Sequence, residues 1–256
     1  MKLEDLKQVV RDVDIFQDIP STNQKLWELI DQESSLPRVA IALQQSAGRG
    51  QWGRVWQSPP GGLYLSVGLP LDLEVNCGPH LTLAVAWGIA QRLRTLDLPI
   101  LLKWPNDLIL QGRKLGGIKI ETRVCQGMIT HGVIGVGINY TNPVPPTGIN
   151  LEEIASQFTL TDLAKLTLMG IFSGYDYYLQ QGIKPVKDAY HQLLSNLGQE
   201  IILNQSPGVI IGVNDQGELG VRLFSAGASV AIFLQPGTIR LGYSCKEILK
   251  ISECDL

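Results

Sequence analysis

Hydrophobic positions divide the chain into distinct elements. Leu3, Leu6, Val9 and Val10 recur at helical spacing and predict a short first helix. Residues 14–19 read as a strand. The stretch STNQKLWELIDQE follows, with Leu26, Leu29 and Ile30 on one helical face. Ser21 followed by Gln24 fits a capping box at its start. Residues 39–43 and 63–69 are apolar or alternating runs that predict strands. Residues 80–96 carry a long apolar helix pattern, with Arg92 and Arg94 near the end, where a helix favours cations. Two short strands, 100–103 and 108–110, flank the turn KWPND. Residues 115–124 and 128–138 predict a hairpin, rich in β-branched residues and joined by Cys125-Gln126-Gly127.

The second half changes character twice. TNPVPPTG (141–148) is a loop, because proline removes amide donors. Helices are expected over 151–157, 161–181 and 186–197. After Gly198, short strands are punctuated by Pro207-Gly208, Asp215-Gln216-Gly217 and Pro236-Gly237. That spacing suits a small all-β barrel of about 60 residues. The pattern predicts two domains, 1–197 and 198–256. Hairpins mixed with helices, without regular βαβ alternation, predict an α+β mixed β-sheet with flanking helices rather than a doubly wound parallel sheet.

Composition narrows the function classes. Of 256 residues, 45 % are apolar and 18 % charged, which predicts a packed core. A net charge of −3 argues against a domain built mainly to bind nucleic acid, so local positive patches carry more weight than the total. Cys77, Cys125, Cys245 and Cys254 form no C-x-x-C pair, and His80, His131 and His191 lie far apart. Neither a zinc cluster nor a disulfide framework is suggested; reduced thiols packed as small apolar groups are expected. The opening MKLEDLKQVVRD lacks the apolar core of a signal peptide, and no run of about 18 apolar residues occurs. The expectation is a cytoplasmic protein with no membrane partner.

The stretch GRGQWGR (48–54) fits G-x-G-x-x-G, the glycine spacing of a dinucleotide-binding turn. That turn needs a helix starting at its last glycine. Here Gly53 is followed within ten residues by Pro59, Pro60, Gly61 and Gly62, which exclude a regular helix. No P-loop pattern occurs either. Gly48, Gly50 and Gly53 instead permit close backbone approach, and Arg49 and Arg54 supply forks suited to carboxylate or phosphate. Taken alone, a solvated surface loop explains the stretch equally well. KWPND adds Lys103 at the end of an apolar strand, with Asn106 and Asp107 beside it. RKLGG adds Lys114 next to Gly116 and Gly117, which leave room for a ligand. GVGIN ends an apolar strand in Asn139. Together these stretches bring four basic side chains, loose backbone and amides to one cleft.

In this order, the stretches resemble biotin–protein ligases. The shared run is Ser21-Thr22-Asn23, then QSAGRGQWGR (45–54), Trp56 and Ser58-Pro59, LYLS (63–66), KWPND (103–107), KLGGI (114–118) and GVGIN (135–139). The resemblance spans roughly residue 14 to the C-terminus. It implies a class II synthetase-like catalytic domain followed by an SH3-like β-barrel. It also implies biotin and ATP as substrates, with Mg²⁺ on the phosphates near Asp107. The reaction implied forms biotinyl-5′-adenylate and then transfers biotin to a lysine of the biotin carboxyl carrier of acetyl-CoA carboxylase. Twenty residues precede Ser21, too few for the winged helix of the family's repressor members, so no DNA partner is expected. Relatives dimerise through a sheet edge, and a homodimer stays open here. Lipoate or octanoate ligases of the same fold are the main alternative; as a rule they lack the Gly-Arg-Gly loop.

The resemblance also assigns residues. Ser21, Thr22, Asn23 and Gln45 line the biotin head-group site, and Gln51, Gly116 and Gly117 complete the biotin set. Arg49 and Gly50 clamp carboxylate and phosphate. Arg54 and Trp56 face the nucleotide, with Asn106, Asp107 and Asn139 on the same side. Lys103 is the main electrostatic catalyst, and Lys114 holds biotin or the adenylate.

One position departs from the family pattern: Gln51 stands where an arginine is usual. A neutral amide holds an acyl-phosphate less strongly than a guanidinium does. The enzyme is therefore expected to leak its adenylate unless Trp52 compensates by closing the loop. Labelling of bystander proteins should fall in Gln51→Arg; equal labelling by both proteins would refute the idea.

Overall fold

The computed structural model describes residues 1–152, 154, 157–239 and 241–243, and the backbone of 247–249. The helix α1 (Leu3–Lys7) opens the chain and buries Leu6. Seven strands build the main sheet: β1 (Asp12–Ile19), β2 (Arg38–Gln45), β3 (Leu63–Glu74), β4 (Leu101–Lys103), β5 (Asp107–Leu110), β6 (Arg113–Cys125) and β7 (Met128–Ile138). Their order is β1-β2-β3-β7-β6-β5-β4, with β1 and β2 parallel and the remaining pairs antiparallel. This is the mixed sheet the sequence predicts. The β6–β7 hairpin turns on Gln126 and Gly127, both at positive φ (51° and 81°), the conformation a two-residue turn needs to match strand twist.

The faces of the sheet are covered unequally. The helix α2 (Thr22–Asp31) packs Leu26 and Ile30 onto Ala40 and Val133, a small cluster on one face. On the other face, α3 (Gly78–Arg94) and α4 (Leu160–Gln181), with α5 (Ile183–His191) beside them, enclose the main core around Leu65, Ile134, Val136 and Ile138. At the closest approach of α3 and α4, a Cβ on Gly88 would lie 2.7 Å from the Gly174 Cα, so only glycine fits.

Three local expectations need correction or restriction. The capping box at Ser21 does not form: its side chain makes no cap bond, and Gln24 Nε2 donates to Glu28 instead. A capping box does open α4, between Thr159 and Asp162. The helix expected to reach residue 197 stops at His191. The chain there turns to exchange bonds with β4, Leu102 N–H donating to the Leu193 carbonyl and Ser195 N–H to the Leu102 carbonyl, both at 2.7 Å. The helix expected over 151–157 lies partly outside the described residues, as do Cys245 and Cys254; Ile154 closes a turn onto Leu151.

After Glu200 a second sheet begins: β8 (Glu200–Leu203), β9 (Ser206–Val213), β10 (Leu219–Ser225), β11 (Ala228–Leu234) and β12 (Glu247–Leu249), in the order β11-β10-β9-β8-β12. It matches the small SH3-like β-unit expected at this end of the chain. Polar contacts fasten it to the main sheet and its helices. Trp104 Nε1 donates to the Gly217 carbonyl at 2.9 Å, and His80 Nε2 meets the Asp215 carbonyl at 2.7 Å. His191 Nε2 accepts the Val213 N–H at 2.6 Å, which requires an unprotonated nitrogen. Burial and the nearby Lys187 charge hold His191 below its ordinary 6.5.

That linkage has a sign. As pH falls below 6.5 the unfolded chain takes up a proton that the folded His191 resists, so stability falls with acidification through that window. The urea midpoint should therefore rise between pH 5.5 and 7.5 (values near the ordinary histidine pKa). In His191→Gln, which keeps an acceptor for Val213, the rise should flatten; an unchanged slope would show that His191 is not responsible.

Candidate active site

The space for a ligand is made by what the strands omit. Side chains alternate along a strand, so residues paired across the sheet share a face. Ala40, Ser66, Gly135 and Lys119 form one such row across β2-β3-β7-β6, and Ala42, Tyr64, Gly137 and Gly117 form the next. Both rows lie on the α2 face. Their small members leave a hollow beside the start of α2. Asn23 fills the volume a Cβ on Gly135 would need, and the Trp56 indole fills that of Gly137.

Around this hollow lies a cavity that is partly open to solvent. At one end stand Ser21, Thr22 and Asn23, all buried, with Gln45. Gln45 Oε1 accepts the Thr22 N–H at 2.9 Å, and its Nε2 donates to Ser58 Oγ at 2.8 Å. Apart from Lys119, whose ammonium is paired with Glu121, this end carries neutral polar groups. Behind it, Glu121 accepts from Asn23 Nδ2 and Trp27 Nε1, each at 3.1 Å, and pairs with Lys119 at 3.1 Å. Burial opposes ionisation of Glu121, but the bonds from Asn23 and Lys119, the Lys119 charge and Trp27 outweigh it and hold the carboxyl below its ordinary range.

The glycine-arginine stretch forms the roof. It is a small hairpin: Trp56 N–H bonds to the Gly48 carbonyl at 2.9 Å and Gly50 N–H to the Arg54 carbonyl at 2.7 Å, with Arg49 bridged to Val55. Trp52 and Gly53 turn the tip at φ 51° and 70°. Gln51 Nε2 donates to the Ile118 carbonyl at 3.3 Å, while its Oε1 and the Trp56 Nε1 are buried without a protein partner among the described residues. Arg49 and Arg54 are exposed, and Arg54 lies over the Trp52 ring at 5.5 Å.

The far end is charged. Lys103, only 6 % exposed, donates to the Leu241 carbonyl and lies 3.7 Å above the Tyr243 ring. Asp107 pairs with Lys114 at 2.5 Å and accepts from Tyr243 Oη at 2.7 Å. Asn106 Nδ2 bonds to the Ile118 carbonyl at 2.7 Å. Among the described lining residues, five cations (Arg49, Arg54, Lys103, Lys114 and Lys119) face one carboxylate, Asp107. A chain of negative net charge thus concentrates positive charge in one cleft, which draws in anions.

The sequence-derived candidates converge on this cavity with two exceptions. Gly116 and Asn139 do not line it. A Cβ on Gly116 would sit 2.7 Å from the Gly137 carbonyl, so its part is sheet packing. The Asn139 amide donates to the Ile149 carbonyl at 3.2 Å and accepts from Asn142 at 3.0 Å, tying down the proline-rich loop. Sequence reasoning missed Lys119, although counting by two from Gly117 along β6 reaches it. It also missed the wall built by Gly237, Ile239, Leu241 and Tyr243, for which no local pattern exists.

Comparison with known proteins gives the family and the fold. The biotin/lipoate A/B protein ligase family matches residues 15–139. The bifunctional ligase/repressor BirA of Escherichia coli K12 is 32 % identical over 213 residues, covering 78 % of this chain and 66 % of that protein. The chain belongs to the biotin/lipoate A/B protein ligase family. Another curated member, the biotin–[acetyl-CoA-carboxylase] ligase of Paracoccus denitrificans, is 25 % identical over 201 residues, 71 % of this chain and 82 % of that one. The biotin protein ligase of Aquifex aeolicus, solved with biotin and ATP, has the same fold: TM-score 0.68 at 21 % identity, over 87 % of this chain and 99 % of that one. The chain spans about two thirds of the length of the BirA relatives. The family-matched segment carries both the neutral and the cationic end of the cavity, whereas the wall of Gly237, Ile239, Leu241 and Tyr243 lies beyond it.

The floor makes a direct prediction. Gly137→Ala puts a methyl into the Trp56 indole and must displace it. Tryptophan emission should shift from that of the wild type, the shift should vanish when Gly137→Ala is made in a Trp56→Phe background, and ligand affinity should drop. An unchanged spectrum in Gly137→Ala would mean that the indole does not rest on this strand.

Proposed function

We propose that this ligase family member activates biotin with ATP and transfers it to a lysine of a biotin carboxyl carrier protein. The observation that carries the reading is the division of one cavity into a neutral hydrogen-bonding end and a strongly cationic end. A ligand with a neutral polar head and a carboxylate tail fits that order, and the nucleotide phosphates fit the cations.

Two anions must meet in the first step. The biotin carboxylate oxygen attacks the α-phosphorus of ATP; the acyl–phosphate bond forms, and pyrophosphate leaves with its electron pair. Cationic side chains lower the repulsion and hold the reactants in line. Lys103 suits the reacting centre best. It is the most buried of the five cations, and its position is fixed from two sides by Leu241 and Tyr243. Lys114, balanced on Asp107, holds the carboxylate or the adenylate. Arg49 and Arg54 close over the phosphates from the roof. The buried Trp56 N–H and Gln51 Oε1 offer further bonds to the adenylate. In the second step the carrier's lysine nitrogen attacks the acyl carbon, an amide forms, and AMP leaves.

Magnesium enters this scheme with the nucleotide. Among the described residues no group of three or more His, Cys, Asp or Glu side chains could hold a metal. The phosphates would supply most of its ligands, with Asp107 the nearest protein carboxylate. The carrier reading draws on the Paracoccus relative, whose name gives acetyl-CoA carboxylase as its target. Lipoate fits less well, because its dithiolane head would leave the hydroxyl and amide groups of Thr22, Asn23 and Gln45 unpaired.

The test is transfer of labelled biotin to a carrier domain in the presence of ATP and Mg²⁺. Lys103→Met should slow it by about a hundredfold or more, the scale seen when one preorganised electrostatic donor is removed. Full activity in that variant would refute the role of Lys103, and no transfer by the wild type would refute the reading.

A further inference from the structure

Two side chains behind the neutral end of the cavity do not line it, yet they determine what it can bind. Ser66 is fully buried on β3, and Glu121 stands on β6 behind Asn23. With Asn23, Thr22 and Gln45 they form a set of hydrogen bonds in which each bond has a single allowed direction.

The direction starts at Glu121. A carboxylate only accepts, so Asn23 turns its Nδ2 toward Glu121 (3.1 Å) and its Oδ1 toward Ser66. Oδ1 has no proton, so the 2.6 Å contact is a bond only when Ser66 donates it. Ser66 has one hydroxyl proton. Its 2.7 Å contact with Thr22 Oγ1 is then a bond only when Thr22 donates to Ser66. That uses the Thr22 hydroxyl proton, so no proton lies between Thr22 Oγ1 and Gln45 Oε1, which stand 3.2 Å apart. Gln45 cannot turn over to relieve this. Its Oε1 is needed by the Thr22 N–H at 2.9 Å, and its Nε2 donates to Ser58, which in turn donates to the Trp56 carbonyl. Two oxygen acceptors therefore stand side by side on the cavity wall, facing a ligand donor.

We infer that Glu121 and Ser66 are positioning residues that set the proton polarity of this seat, so that it takes ligand N–H groups such as those of a cyclic urea. The inference rests on the biotin reading, since biotin's head is a cyclic urea. Without the Glu121 charge, Asn23 is free to turn and donate Nδ2 to Ser66. Ser66 then donates to Thr22, and Thr22 donates to Gln45 Oε1. The protein's own proton fills the seat, and a ligand N–H meets a competing donor.

Glu121→Gln removes the charge, and Ser66→Ala frees the Thr22 proton by a second route, so each variant tests the idea if the other does not fold. Biotin is titrated calorimetrically into folded protein, alongside an oxazolidinone analogue in which ring oxygen replaces a urea N–H. The wild type should prefer biotin over the analogue by about tenfold, the scale of one exchanged hydrogen bond. In both variants biotin should bind about tenfold more weakly, and the preference should shrink to about twofold, while ATP affinity holds. A purely structural role would weaken both ligands equally and keep the preference. That result, or wild-type affinity in either variant, overturns the inference. Failure of the folded wild type to bind biotin would instead count against the biotin reading.

Discussion

The site depends on a row of small residues in register. A sheet packed on both faces has no room for a ligand unless side chains are left out along one line. Ala40, Ser66 and Gly135 supply that line, and Gly137 and Gly117 extend it under Trp56. The helix α2 covers only part of this face, through Leu26 and Ile30, and its N-terminal residues become one wall of the hollow. On the opposite face the same strands bury Ile134, Val136 and Ile138 in the main core, so the floor cannot shift to accommodate a larger residue.

Charge imposes the second constraint. Five cations in one cleft repel each other and would destabilise the fold if left unopposed. The chain offsets this locally. Asp107 opposes Lys114, Glu121 opposes Lys119, and the Leu241 carbonyl and Tyr243 ring face Lys103. Each offset also fixes a cation in place, so the positive charge is directional before any anion arrives. Arg49 and Arg54 differ: they sit on the exposed roof, where a large part of their charge is screened until a ligand covers them.

Much of this was legible in the sequence, and the reason is local. Ser21, Thr22, Asn23, the glycine-arginine loop, Lys103 and Lys114 each fall inside short stretches whose spacing has physical meaning. The mixed sheet and its central hairpin follow from alternation and a two-residue turn. What stayed hidden is set by pairing between distant segments. Ser66 reads as an ordinary strand serine until register places it beside Gly135. Asn139 resembles a ligand amide until the fold turns it toward Asn142 and Ile149. Ser21 has the spacing of a helix cap, but its side chain faces the cavity instead. Tyr243 gives no signal at all, because its partner Asp107 lies 136 residues away.

The distant wall changes how the roof loop should be understood. Glycines alone would make GRGQWGR a loose flap, but its tip rests against the second sheet's end of the chain. Trp52 occupies the space beside Gly237, where any Cβ would collide with its indole, and Gln51 bonds to the Ile118 carbonyl that Asn106 also uses. Roof, floor and wall therefore share atoms. Lys103 and Asp107, at the charged end of the cavity, are held by the same wall through Leu241 and Tyr243. The roof's Trp52 and the cation Lys103 thus lean on one short stretch of chain, through Gly237 and Leu241, so the shape of the cavity and the placement of its charge rest on the same wall.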